Sequence, residues 1–157
     1  MCAGVTVYTG LKRAELRPGQ WVAIPGAGGG VGHMGVQYAK AMGARVLAID
    51  AGAKRELCVQ GGADEFLDFT TFTSDDEMAA KVKEVTHGGA KIVLQCTSSP
   101  KVYSQAVSWL GFRGTLVCIG LPEDDPNLTY NLIAMIAQEL KIIGKPEKQA
   151  STFSPSR

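Results

Sequence analysis

The 157-residue chain carries a formal net charge of +1, with 45% hydrophobic and 20% charged residues. These are the proportions of a soluble globular domain, and so balanced a charge offers no electrostatic draw toward nucleic acid or a membrane surface. No apolar run approaches the ~20 residues of a membrane span. The N-terminus lacks the charged, apolar, small-residue order of a signal peptide.

Residues 1–16 read as a helix, with Val5, Tyr8 and Leu11 spaced three apart and Val7 and Leu11 four apart. Apolar runs at 21–24, 46–49, 65–68, 92–95, 115–119 and 141–143 then read as strands, and a helical pattern separates each from the next. The helix at 33–42 carries Val31, Met34, Tyr38 and Ala41 at helical spacing, and Gly32 and Gly35 thin the side that packs close on the sheet. A short helix at 54–60 stops at Gly61-Gly62. The next opens on a capping box, Ser74-Asp75-Asp76-Glu77, buries Met78, Val82 and Val85, and closes at His87-Gly88. A fourth has Ser99 as its cap and Pro100 at its first position, with Val102, Ala106 and Trp109 before the stop at Gly111. The fifth covers 132–140 behind Asn131.

Strands separated by single helices pair in parallel through right-handed crossovers. Six of them predict an α/β fold, a doubly wound parallel six-stranded sheet (Rossmann fold) in the order 3-2-1-4-5-6. Its ligand crevice falls at the carboxyl ends of strands one and four. One domain is expected over 1–145. Residues 146–157 are polar and aperiodic, the pattern of a disordered tail.

The first strand–helix–strand unit carries the chemistry. Trp21 to Ile24 runs into a turn containing Gly26, Gly28, Gly29, Gly30 and Gly32, a helix follows, and the second strand ends in Asp50. Glycines let the chain turn off the strand and leave no Cβ where a pyrophosphate approaches. The N–H groups and partial positive charge of the new helix face that anion. Asp50, roughly 20 residues on, stands where a carboxylate bonds the ribose hydroxyls of NAD. The neighbouring Lys54-Arg55 would suit a 2′-phosphate, but a carboxylate at Asp50 repels one, so NAD is favoured over NADP.

Three segments, 1–8, 26–32 and 36–43, closely resemble the yeast-type zinc alcohol dehydrogenases of the medium-chain dehydrogenase/reductase superfamily, and the resemblance runs to about Gly144. It implies that Cys2 is a ligand of the catalytic zinc and that Thr6 lines the nicotinamide site. It further implies that Gly29, Gly30 and Val31 contact the pyrophosphate, Asp50 and Lys54 the adenosine ribose, Phe69 the adenine side, and Ile119 and Leu121 the nicotinamide. Hydride transfer between a small primary alcohol and NAD, a zinc cofactor and a homo-oligomeric intact enzyme come with it.

The family pattern has a catalytic domain before Met1, with the other zinc ligands and a proton relay, and continues differently after Gly144. The chain is therefore expected to be a coenzyme-domain fragment with a tail unlike the family. Two alternatives stand beside this reading: a zinc-free medium-chain reductase of the quinone reductase type, which has no use for a ligand at Cys2, and an inactive nucleotide-binding fragment.

Other chemistry-bearing residues have plainer explanations. The cysteines Cys2, Cys58, Cys96 and Cys118 show no CxxC pairing, which suits reduced thiols in a cytoplasmic protein. Cys58, Cys96 and Cys118 read as core residues. His33 reads as a surface residue and His87 as a cation favoured by a helix C-terminus, while Tyr103 and Trp109 read as packing.

Overall fold

The computed structural model describes residues 2–122 and 130–144, without the side chain of Cys2; the tail at 146–157 lies outside the described residues. In chain order the elements are α1 (Cys2–Arg13), β1 (Trp21–Pro25), α2 (Gly30–Ala41), β2 (Arg45–Asp50), α3 (Arg55–Gln60), β3 (Glu65–Asp68), α4 (Asp75–Val85), β4 (Ala90–Gln95), α5 (Pro100–Ser108), β5 (Leu110–Cys118), α6 (Leu132–Gln138) and β6 (Lys141–Gly144).

The strands form one sheet in the expected order β3-β2-β1-β4-β5-β6, with every pair parallel. Because β1 lies between β2 and β4, the crossovers diverge there and open a crevice at the carboxyl edge.

Both faces of the sheet are covered, so the central strands are continuous apolar runs rather than alternating ones. On one face Val22, Ile24, Ala48, Ile92 and Leu94 pack with Val7 and Leu11 of α1 and Val36 of α2. On the other, Ala23, Leu47, Ile49, Val93 and Leu116 pack with Met78 and Val82 of α4 and Tyr103 of α5. Each fully buried aliphatic side chain contributes about 1.5–3 kcal/mol before entropy is counted.

The α2 helix meets the sheet through its small residues: Gly32, Gly35, Val36 and Ala39 are buried, and a Cβ on Gly35 would stand 3.0 Å from Leu94 Cδ2. Val31 and Met34 flank that contact, whereas Tyr38 and Ala41 are exposed. Tyr38 turns to α1, its ring centroid 6.3 Å from that of Tyr8 and its hydroxyl against Gly4. On α1 the buried pair is Val7 and Leu11, while Val5 and Tyr8 stay exposed. Of the two stripes readable in that helix, only the four-apart one faces the core.

The helix ends follow the sequence in part: α5 stops at Ser108, and Gly111, expected as its stop, lies inside β5. Ser74 Oγ accepts from Glu77 N at 3.1 Å, and Asn131 Oδ1 accepts from Ile133 N at 2.9 Å. Glu77 reaches back one residue further than a standard capping box, accepting from Thr73 N–H and Oγ1; these bonds hold its carboxyl below the ordinary range. Ser99, expected as a cap, makes no capping bond and instead lines the cleft described below. His87 is not in the last helical turn: α4 ends at Val85, and His87 takes a left-handed φ of 55° two residues later, the usual way a chain leaves a helix.

Candidate functional site

The loop after β1 is closed by backbone contacts. Gly26, at φ 71°, donates its N–H to Ile49 O at 2.9 Å and accepts from Gly29 N at 3.0 Å. A Cβ on Gly32 would fall 1.9 Å from Gly26 O, so α2 can start this close to the turn only with glycine there. Gly29, the residue before α2, supplies no side-chain cap, and the first N–H groups of the helix lack intrahelical acceptors. Gly29 and Gly30 are exposed; around a Cβ built on Gly30 there is nothing within 4 Å. Val31 is half-buried against the core. His33 is half-buried too, its Nδ1 3.1 Å from Gly29 O.

Asp50 ends β2 beside this loop. Its Oδ2 accepts from Gly28 N and its Oδ1 from Ala51 N, both at 2.8 Å. The stem of Lys54 covers Gly28, where a Cβ would lie 2.7 Å from Lys54 Cβ. Asp68 at the end of β3 is the register partner of Asp50. The hydroxyl and N–H of Thr70 hold the Asp68 carboxyl below its ordinary range. Two carboxylates thus stand side by side at the strand ends, with Lys54 and Arg55 on the segment that follows β2.

A cleft of about 450 Å³ opens at this edge. Asp50, Pro25 and Gly26 form one wall and Phe69, Phe72 and Met78 another. Thr97, Ser99, Gln105 and Trp109 are also among the lining. Asp50 and Phe69 both line this cleft, and Gly28 is bonded to Asp50 and covered by Lys54. Thr97, Ser99, Phe72 and Gln105 are not read as site residues in the sequence, where Ser99 is expected only as a helix cap. The first two follow the carboxyl end of β4, the strand that flanks the crevice, and that position was the available signal.

Of the remaining candidates, Thr6 and Ile119 lie on the α1 side. Thr6 is buried on α1. One turn on, a Cβ at Gly10 would come within 3.7 Å of Ile119 Cδ1. Ile119 is half-buried and Leu121 is 77% exposed.

Zinc finds no cage here: among the described residues no group of three or more His, Cys, Asp or Glu could hold a metal, and protein zinc sites need three or four ligands. Cys58, Cys96 and Cys118 are free, and burial pushes all three thiols up, away from the thiolate a metal requires. The Cys2 side chain lies outside the described residues. Among the described residues no helix is long and apolar enough to cross a membrane.

Residues 30–154 match the family model described as zinc-binding dehydrogenase. Alcohol dehydrogenase 2 of Emericella nidulans is 48% identical over 132 residues, covering 80% of this chain and 36% of its own length. Alcohol dehydrogenase of Schizosaccharomyces pombe is 44% identical over 145 residues, covering 92% and 40%. Among solved structures, benzyl alcohol dehydrogenase from Acinetobacter calcoaceticus superposes with a TM-score of 0.83 at 26% identity, over 92% of this chain and 39% of that one. The chain thus spans 36% and 40% of the length of these two relatives, and it belongs to the zinc-binding dehydrogenase family.

Proposed function

We propose that this chain is the NAD-binding part of a zinc-dependent alcohol dehydrogenase. The observation that carries the reading is the bond from Gly28 N to the Asp50 carboxylate, which locks the glycine loop to the acid at the strand end. Asp50 keeps lone pairs free for a ribose diol, since a carboxylate accepts about four hydrogen bonds. The exposed Gly29 and Gly30, with Val31 behind them, leave room for a pyrophosphate at the start of α2. Gly32 keeps the helix close. Lys54 lies beside Asp50 on the ribose side, Phe69 offers an apolar surface to the adenine, and Thr6, Ile119 and Leu121 face the nicotinamide half.

When bound, NAD accepts the hydride; this chain's residues bind and orient it. Of the zinc ligands the chain offers Cys2, on resemblance alone. Small primary alcohols as hydride donors, a cytoplasmic location and a homo-oligomeric assembly belong to the same reading; the alcohol dehydrogenases among the relatives support an alcohol as the hydride donor.

The pairing of Asp50 with Asp68 supports NAD over NADP. A unit charge 4 Å from a carboxylate costs about 4 kcal/mol at an effective dielectric of 20, reduced to the order of 1 kcal/mol by solvent and salt at an exposed rim. Calorimetric titration with NADH and NADPH tests this. Tighter NADH binding is expected, with the gap narrowed in Asp50→Ala; equal affinities, or tighter NADPH, overturn the assignment.

A further inference from the structure

We infer that Tyr103 is a positioning residue: its phenol fixes the path of the chain leaving β5 and so the placement of Ile119 and Leu121 toward the nicotinamide half of the coenzyme. This rests on the coenzyme reading above and adds a residue to it.

The α5 helix follows β4, so its N-terminal end sits at the carboxyl edge of the sheet. Side chains on a helix lean toward its N-terminus, and Tyr103, in the first turn, leans toward that edge. Its ring is 2% exposed, and a phenylalanine would fill the same space. The hydroxyl is what needs explaining, because burying one without a partner is costly. Its partner is not in the core: the phenol donates to the carbonyl of Gly120, between Ile119 and Leu121.

Gly120 is held from two further directions. Its N–H donates to Gln95 O at 3.0 Å, as does that of Ile119 at 3.1 Å. A Cβ on Gly120 would lie 2.1 Å from Thr97 O. The α5 helix, the end of β4 and the loop after it therefore converge on one peptide. Thr97, Val102 and Gln105 of these same elements line the 450 Å³ cleft, so the clamp ties the cleft wall to the segment carrying Ile119 and Leu121. Desolvation, with Cys118 and Cys96 nearby, pushes the phenol above its ordinary range; it stays a donor at any pH the protein meets.

Calorimetric titration of the 157-residue chain with NADH and with ADP-ribose, which lacks the nicotinamide, tests the inference. In Tyr103→Phe, NADH binding should weaken about tenfold, the size of one buried hydrogen bond, while ADP-ribose binding stays unchanged. Gly120→Ala, whose added methyl meets the Thr97 carbonyl, should show the same selective loss and decides the matter if Tyr103→Phe does not fold. NADH binding unchanged in a folded variant, or equal weakening of both ligands, overturns the positioning role while the coenzyme reading stands. A parent chain that binds neither ligand overturns the coenzyme reading and this inference with it.

Discussion

Gly30 and Gly32, two residues apart, should respond in opposite ways to the same added methyl. In Gly32→Ala the new Cβ would sit 1.9 Å from Gly26 O and 2.8 Å from Ala27 Cα, so α2 or the turn must withdraw by about 1.5 Å to reach ordinary contact at 3.4 Å. The turn cannot yield freely, because Gly26 is bonded on one side to Ile49 O and on the other to Gly29 N. Overpacking of this severity costs about 3 kcal/mol, and alanine's better helix propensity returns about 1 kcal/mol. The net loss of about 2 kcal/mol should lower the urea midpoint by roughly 1 M at a typical denaturant slope. Gly30→Ala meets nothing within 4 Å, so its stability should hold or rise by up to about 1 kcal/mol. Its NADH affinity should nevertheless fall about tenfold or more, because the methyl occupies the approach of the pyrophosphate. Urea unfolding and calorimetric NADH titration of both variants give the four values. A Gly32→Ala chain as stable as its parent would refute the close-packing argument, and a Gly30→Ala chain with undiminished affinity would refute the cradle.

Two further outcomes are expected. With no three-ligand cluster among the described residues, the dialysed chain should retain far less than one zinc per molecule by metal analysis; stoichiometric zinc that vanishes in Cys2→Ser would contradict this. Asp64 accepts from Val46 N at 2.7 Å and pairs with Lys40. Partial burial pushes its carboxyl up, but the Lys40 and Val46 bonds outweigh that and hold it below the ordinary range. A lowered carboxyl stabilises the fold above its unfolded pKa and loses that contribution as pH falls through the folded value. Asp64→Asn should therefore cost about 1 kcal/mol at pH 7, and the gap should start to narrow once pH falls below the ordinary carboxylate range of about 4 and go on narrowing with further acidification; a gap that does not shrink on acidification would mean that the charge is not responsible.

The strand order and the glycine loop were legible in the sequence because both are local statements. A single helix between strands leaves a parallel crossover of one hand. Runs such as Val46 to Ile49 are apolar on both sides because helices cover both faces of the sheet. The spacing from the glycine turn to Asp50 is one strand–helix–strand unit, so the acid's address could be counted. Which stripe of α1 is buried could not be read that way. Val5-Tyr8-Leu11 and Val7-Leu11 are both helical spacings, and the choice fell to Gly4 and Gly10, whose missing side chains admit Tyr38 on one side and Val117 with Ile119 on the other. The cleft wall and the Tyr103 clamp are further still from local pattern. Thr97, Gln105, Phe69 and Phe72 meet only because each crossover returns its loop to the same edge, and the bond from Tyr103 to Gly120 spans 17 residues. Periodicity reports which way a side chain faces along its own element; what it faces is decided by where the crossovers bring the other elements.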